Sequence, residues 1–143
     1  MAGDMVRQVD GSARRPFQFG TKAQTLAALA PLVTSAQVLD LYFFTVTEWR
    51  NDPDAVLAQI TERFGTIALV VRSSAHAEDQ GDASMAGAFE SKLNVDGGDP
   101  KAVTTAVKDV IDSYVGHPDD QVLVQAMLDD VAISGVAMTH DVE

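Results

Sequence analysis

The pattern of hydrophobic and polar positions predicts a chain that mixes helices and strands. Apolar residues recur at helical spacing in three stretches, and β-branched or aromatic residues are concentrated in five others. The predicted helices occupy residues 23–30, 53–64 and 100–115. The predicted strands occupy residues 37–46, 66–72, 89–95, 121–127 and 131–139. We therefore predict an α+β fold in which helices pack on a mixed β-sheet of about five strands.

Two of the helices carry the same start signal. Asp52-Pro53 and Asp99-Pro100 each place a capping side chain before a proline at the first helical position. Gly65 is suited to end the first of these helices. Residues 47–50 are predicted to turn away from the first strand.

The strand over residues 66–72 is central to the functional prediction. It is apolar with almost no alternation, so we expect both of its faces to be covered. It ends on Arg72, and an acidic loop with hydroxyls and small residues follows, from Ser73 to Met85. A buried strand that ends on a cation beside such a loop can hold an anion, and we predict that this anion is the phosphate chain of a nucleotide.

The acidic composition narrows the classes of partner. The chain has 143 residues, with 10 Lys and Arg against 21 Asp and Glu, and a formal net charge of -11. This charge opposes binding to nucleic acids and to anionic membranes, which both attract cationic proteins. A nucleotide can still bind, because local cations and a divalent metal can offset the global charge. The absence of cysteine excludes disulfides.

No segment of the sequence predicts membrane insertion or export. No apolar run approaches the ~20 residues of a membrane span, and the N-terminus lacks the apolar segment of a signal peptide. We expect a cytoplasmic protein. Residues 1–16 are polar and without periodicity, so they are predicted to be a flexible tail, and residues 17–143 are predicted to be the folded part.

Common catalytic motifs are absent from the sequence. Gly20-Thr21-Lys22 lacks the spacing of a P-loop, and neither GxGxxG nor GxSxG occurs. His76, His117 and His140 have no partner at metal-ligand spacing. From the residues alone, the prediction stops at a soluble α/β domain with a possible anion site.

One long motif resembles a known family. Its fixed positions are Val71 to Ala75, Glu78-Asp79, Ser84, Ala86-Gly87 and Leu93 to Val95. They fit the pattern VRSSA-x-x-ED-x-x-x-x-S-x-AG-x-x-x-x-x-LNV, which resembles the N-terminal nucleotide-binding domain of the pyruvate phosphate dikinase and phosphoenolpyruvate synthase family. The segment from Gly20 to Leu26 resembles the family's G-x-K-A-x-x-L. The segment from Val124 to Thr139 resembles its VQ-x-M…SGV-x-x-T hairpin.

The resemblance implies an ATP-grasp-like fold that clamps MgATP between two subdomains. In such enzymes the phosphates pass to a catalytic histidine on a separate swivelling domain. The expected function is therefore the ATP-binding portion of a dikinase-like phosphotransferase, which is a kinase. The expected ligands are ATP and magnesium, with the magnesium ligands outside this chain. The expected partners are downstream phosphohistidine and acceptor domains of a longer polypeptide.

The resemblance also implies roles for five residues. Lys22 and Arg72 would contact phosphate oxygens, Lys as a point charge and Arg as a bidentate fork. Gly87 would let backbone N–H groups approach the phosphates. Ser91 stands where some members have a threonine hydroxyl. Gln125 would lie at the adenine near the hinge, or else be a strand residue with its amide in solvent.

The chain also departs from the family pattern. Lys22 and Arg72 are only 50 positions apart, where the family carries a longer helical insert, and the sequence stops at Glu143, before the family's acidic metal ligands. We expect a compact, divergent domain that is incomplete for catalysis alone, with no catalytic or metal-binding residue assigned. One alternative is a stand-alone, non-catalytic nucleotide-binding or assembly module. Another is a structural domain in which the VRSSA strand serves only the core.

Overall fold

Four strands form one sheet in the computed structural model, which describes residues 17–75, 90–113 and 117–135. The described helices are α1 (Lys22–Leu29), α2 (Val46–Asn51), α3 (Pro53–Phe64) and α4 (Pro100–Asp112). The described strands are β1 (Leu41–Thr45), β2 (Ala68–Ser74), β3 (Ser91–Asp96) and β4 (Gln121–Ala126). The α+β class predicted from the sequence is confirmed. The domain boundaries at residues 16 and 17 stay a prediction, because residues 1–16 lie outside the described residues.

The strand order is β1-β4-β2-β3, and every neighbouring pair is antiparallel. The expectation of a mixed sheet of about five strands was wrong in these two details for the described residues. β1 and β2 do run in the same direction, as a crossover through α2 and α3 would require. They do not pair with each other, because β4 lies between them and bonds to both.

The strand predicted over residues 131–139 is not present in its described part, residues 131–135. Asp130 has φ of +54°, a left-handed conformation that is typical of a turn. Beyond it, Val131 is 56% exposed and Ile133 is 92% exposed. Their apolar pattern has no neighbouring strand to pack on within the described chain, and residues 136–139 lie outside the described residues.

β1 is shorter than the predicted strand 37–46 at both ends. At its start, β1 begins at Leu41, which pairs with Gln125, one residue before the end of β4. Asp40, just before the strand, pairs with Arg63 at the end of α3, and its pKa is lowered mainly by the hydrogen bond from that guanidinium. At the other end, Thr45 caps α2 in a reciprocal box with Glu48, so residues 46–51 form a helix rather than a turn.

The main core lies between one face of the sheet and helices α2, α3 and α4. The two longer helices start as the sequence predicts, since Asp52 accepts from the Ala55 N–H and Asp99 accepts from the Lys101 N–H. Gly65 follows α3 with φ of +62°, which confirms it as the end of that helix. The buried residues of this core are Phe44, Trp49, Val56, Ile60, Phe64, Leu69, Val71, Val95, Val103, Ala106, Val107, Val110, Val122 and Val124.

The opposite face of the sheet is covered only in part. α1 packs there over β1 and β4 in a small cluster of Ala23, Leu41 and Leu123. In β2 the buried residues alternate, with Leu69 and Val71 fully buried and Val70 and Arg72 half-buried. The expectation that both faces of this strand are covered was therefore wrong, because α1 lies over its neighbours and reaches only the Ser74 end. This leaves Arg72 at an open part of the sheet.

Gly97 allows a close approach in the turn between β3 and α4. A Cβ atom there would lie 2.4 Å from the Ile67 carbonyl oxygen, whereas one at Gly98 would have its nearest neighbour at 3.2 Å, on the Asp96 side chain. We predict that Gly97→Ala lowers the free energy of unfolding by about 1–3 kcal/mol, the usual cost of overpacking. Gly98→Ala is the matched control and should cost clearly less, since a side chain can move aside. Urea denaturation of the two variants measures the difference, and equal losses would contradict the account.

Candidate anion-binding site

The N-terminus of α1 begins with a capping box. Thr21 is the N-cap, its hydroxyl accepts from the Gln24 N–H, and the Gln24 side chain accepts from the Thr21 N–H at 3.0 Å. Lys22 is the first residue of the helix, one position before the start predicted from the sequence. No acidic residue stands in the first turn, and a cation at this end opposes the helix dipole.

The end of β2 and the start of β4, which lie side by side, hold this helix on the sheet. Ser74 and Gln121 face each other across that pair. The Ser74 hydroxyl accepts from the Ala23 N–H at 2.8 Å, and the Gln121 amide oxygen accepts from the Thr21 hydroxyl at 2.6 Å. All four residues are at most 6% exposed. The Ser74–Gln121 pair of the sheet therefore fixes Thr21 and Ala23, the residues on either side of Lys22.

These contacts decide how the site can bind an anion. In many phosphate sites the unpaired N–H groups of a helix N-terminus point at the ligand. Here the N–H of Ala23 is taken by Ser74, and the N–H of Gln24 is taken by Thr21. Those two donors are not offered to a ligand, so any attraction for an anion has to come mainly from side-chain charge.

Lys22 and Arg72 lie in the same cleft. The cleft has a volume of about 600 Å³ and is lined in the described chain by Phe19, Gly20, Lys22, Thr25, Leu26 and Arg72. Small-molecule sites usually have roughly 300–1,000 Å³. The Lys22 ammonium donates to the Ser73 carbonyl at 3.3 Å, which draws it toward β2. Within the described residues, the Arg72 guanidinium makes no hydrogen bond or ion pair.

The charge in this cleft contrasts with that of the whole chain. Acidic residues outnumber basic ones by 21 to 10, yet the described lining holds two cations and no carboxylate. A second cleft, between β3 and α4, includes Lys92 and Lys101 but also three aspartates. The Lys92 ammonium is already paired there with Glu90 at 2.6 Å and Asp109 at 3.1 Å. Only the first of these two clefts is suited to an anion.

Two more of the predicted residues lie on the same face as Arg72. Ser91 pairs directly with Arg72 across β2–β3, so their side chains share a face. Gln125 pairs with Val70 on β2, two residues before Arg72. Ser91 is exposed, whereas Gln125 is only 9% exposed. Gly87 lies outside the described residues. The alternative, in which Gln125 is a strand residue with its amide in solvent, does not fit this burial.

The side-chain amide of Gln125 makes no hydrogen bond within the described residues. A buried amide without a partner is costly and usually has a structural or functional reason. A ligand group in the open part of this face could provide that partner, because Gln125 and Arg72 project from the same side of neighbouring strands.

Sequence reasoning missed the residues that hold the helix. Thr21, Ser74 and Gln121 were not predicted as site residues, although T-x-x-Q from Thr21 to Gln24 is a capping-box signal. Nothing in the sequence pairs Thr21 with Gln121, which lies 100 residues away. Phe19 and Thr25 also line the cleft without having been predicted to do so.

Comparison with known proteins gives one match. A family model described as "Pyruvate phosphate dikinase, AMP/ATP-binding domain" matches residues 44–118. This range contains Arg72, Gly87 and Ser91, whereas Lys22 and Gln125 lie outside it. No curated protein and no solved structure matches the chain.

The attachment of α1 gives a stability prediction. Ser74→Ala should lower the free energy of unfolding by about 1–3 kcal/mol, because it leaves the buried Ala23 N–H without that acceptor. Ser35→Ala, at an exposed position, is the control and should change stability by less than about 0.5 kcal/mol. Chemical denaturation followed by circular dichroism measures both. A loss at Ser74 no larger than at Ser35 would show that this bond does not secure the helix.

Proposed function

Because this chain belongs to the family of the pyruvate phosphate dikinase AMP/ATP-binding domain, we propose that it binds the phosphate chain of ATP in the cleft between α1 and β2. Lys22 and Arg72 supply the positive charge in this proposal. Ser91 adds a hydroxyl beside Arg72, and Gly87 allows close approach of the backbone. Gln125 hydrogen-bonds the adenine.

The observation that carries the proposal is the meeting of two cations in one cleft. Lys22 begins α1 and Arg72 lies in β2, 50 positions later in the sequence. Arg63 and Lys92 are held in ion pairs on the surface, whereas Arg72 has no such pair within the described residues. Two cations that line one cleft repel each other, and a bound anion would reduce that repulsion. A phosphate chain is an anion with enough oxygens to contact both.

The family match and the geometry support different halves of the site. The matched range includes Arg72 but begins after Lys22. The link to Lys22 is its place in the cleft and its hydrogen bond to the Ser73 carbonyl, next to Arg72. Gln125 is supported by its burial without a protein partner on the same face.

The role in phosphoryl transfer follows from what the reaction needs. Such transfer depends mostly on positioning and on neutralising charge, with little covalent chemistry by the protein. Lys22 and Arg72 would hold the phosphates and neutralise part of their charge. We propose that this domain serves a dikinase-like phosphotransferase of ATP-grasp-like architecture, with phosphohistidine and acceptor domains as its partners, in the cytoplasm. None of the described helices is long and apolar enough to cross a membrane.

Magnesium is the second ligand that the family resemblance implies. ATP-dependent phosphotransferases use it to bridge phosphate oxygens, and oxygen ligands from carboxylates hold it in place. Among the described residues, no three His, Asp or Glu side chains come together in a group that could hold a metal ion. We propose, as the resemblance to the family implies, that the magnesium ligands lie outside this chain.

We predict that Lys22→Met and Arg72→Met each weaken the binding of ATP and of inorganic tripolyphosphate by about tenfold or more. Each variant loses charge-assisted hydrogen bonds worth about 1.5–3 kcal/mol and keeps the aliphatic stem that packs in the cleft. Isothermal titration calorimetry, or NMR titration at millimolar ligand, measures the affinities.

Lys108→Met and Arg50→Met are the matched controls for these variants. Both residues are exposed on helices that pack on the other face of the sheet, so these variants should bind as the unmodified chain does. Tight binding that survives both Lys22→Met and Arg72→Met would overturn the assignment of these two residues.

Gln125→Met tests the position of the base. It should weaken the binding of ATP by a few-fold, by about the 0.5–1.5 kcal/mol of one hydrogen bond, and leave tripolyphosphate binding unchanged, because tripolyphosphate has no adenine. The same titrations compare the two ligands. Equal losses for both ligands would place Gln125 at the phosphates or make it structural, and no loss would remove it from the site.

A further inference from the structure

We propose that the hydrogen bond between Thr21 and Gln121 is a positioning device for the anion site. It fixes the start of α1 on the sheet and thereby sets where the Lys22 ammonium stands relative to Arg72. The inference rests on the proposed function, since it assigns a role to two residues that would not touch the ligand themselves.

The Thr21 hydroxyl has two separate contacts. Its oxygen accepts from the Gln24 N–H, which caps the helix, and its proton goes to the Gln121 amide oxygen at 2.6 Å. Capping needs only the oxygen lone pair, so the bond to Gln121 adds nothing to the helix itself. It is buried, with Thr21 at 2% and Gln121 at 6% exposure, and it joins residues that are 100 positions apart. This contact therefore acts on placement of the helix rather than on its formation.

Apolar packing alone defines the position of α1 poorly. The helix has eight residues, and Ala23 is its one fully buried residue. The cluster beneath it contains two other buried residues, Leu41 and Leu123, and four partly buried ones pack against it, namely Leu26, Ala27, Val38 and Phe43. Apolar contacts of this size are not directional and permit small shifts, whereas a short, buried hydrogen bond is directional. Polar bonds at the helix start are what prevent such a shift.

Lys22 directly follows Thr21, so any displacement of the N-cap moves it. Two cations from different elements bind a phosphate chain well only when their spacing suits the ligand, and an error of about 1 Å can cost a large part of such an effect. Arg72 is set by the sheet through its pairing with Leu123 and Ser91. The bond from Thr21 to Gln121 fixes the position of Lys22 relative to that same sheet.

The experiment uses the complete chain with tripolyphosphate as the probe. Gln121→Met removes the acceptor but leaves the Thr21 cap intact. Thr21→Val removes the hydroxyl, and Thr21→Ser retains it as the conservative rescue. Each is made alone and in the Lys22→Met background, and Thr61→Val, at an exposed position on α3, serves as control. NMR titration follows only the signals of folded molecules, so a fraction that fails to fold does not distort the affinity.

We expect Gln121→Met and Thr21→Val to weaken binding by about threefold or more, and Thr21→Ser to stay within about twofold of the unmodified chain, as coupling between contacting residues predicts. In the Lys22→Met background, Gln121→Met should cause no further loss. An equal loss in both backgrounds would show that Gln121 does not act through Lys22. A lower melting temperature with unchanged affinity would make the bond structural only. Both results would overturn the inference.

The same experiment separates this inference from the proposed function. If Lys22→Met alone leaves the affinity unchanged, the proposed site itself is wrong and the positioning role is lost with it. If Lys22→Met weakens binding and Gln121→Met does not, the site stands and only the positioning role is overturned.

Discussion

The pairing of β2 with β4 is the contact on which the rest of this structure depends. It places β4 between two strands that run in the same direction, and so makes the sheet antiparallel throughout its described part. Its last rung, Ser74 opposite Gln121, also receives the start of α1 through two buried hydrogen bonds. The core on one face and the cleft on the other both require this pair. A change in its register by one residue would exchange the two faces of the strand.

Carboxylates hold two of the described cations on the surface. Asp40 and Arg63 join the start of β1 to the end of α3, and the hydrogen bond between them raises the pKa of Arg63 while lowering that of Asp40. Lys92 is held by Glu90 and Asp109, which raise its pKa. Such surface pairs contribute little to stability. Within the described residues Arg72 has no such pair, and neither have Arg50, Lys101 and Lys108, so it is the place of Arg72 in the cleft that sets it apart.

The sequence was sufficient for the local structure and for two cations of the site. N-caps at Asp52 and Asp99 and the helix end at Gly65 were predictable because each depends on residues within one turn. Strand ends were less predictable because they depend on the partner strand: β1 is limited to Leu41–Thr45, the five residues that pair with β4. Lys22 and Arg72 came from a motif, and their common cleft came only from the structure. The bond between Thr21 and Gln121 has no local signal at all.

The long sequence separation of these contacts has a consequence for folding. Lys22 reaches the Ser73 carbonyl across 51 positions, and Thr21 reaches Gln121 across 100. Closing such loops costs entropy before any contact repays it, so contacts of this kind form late and slow the folding of a domain. During synthesis, the helix can be fixed on the sheet only after residue 121 has been made. The proposed anion site is therefore completed only in one of the last steps of folding, although its two cations are made much earlier.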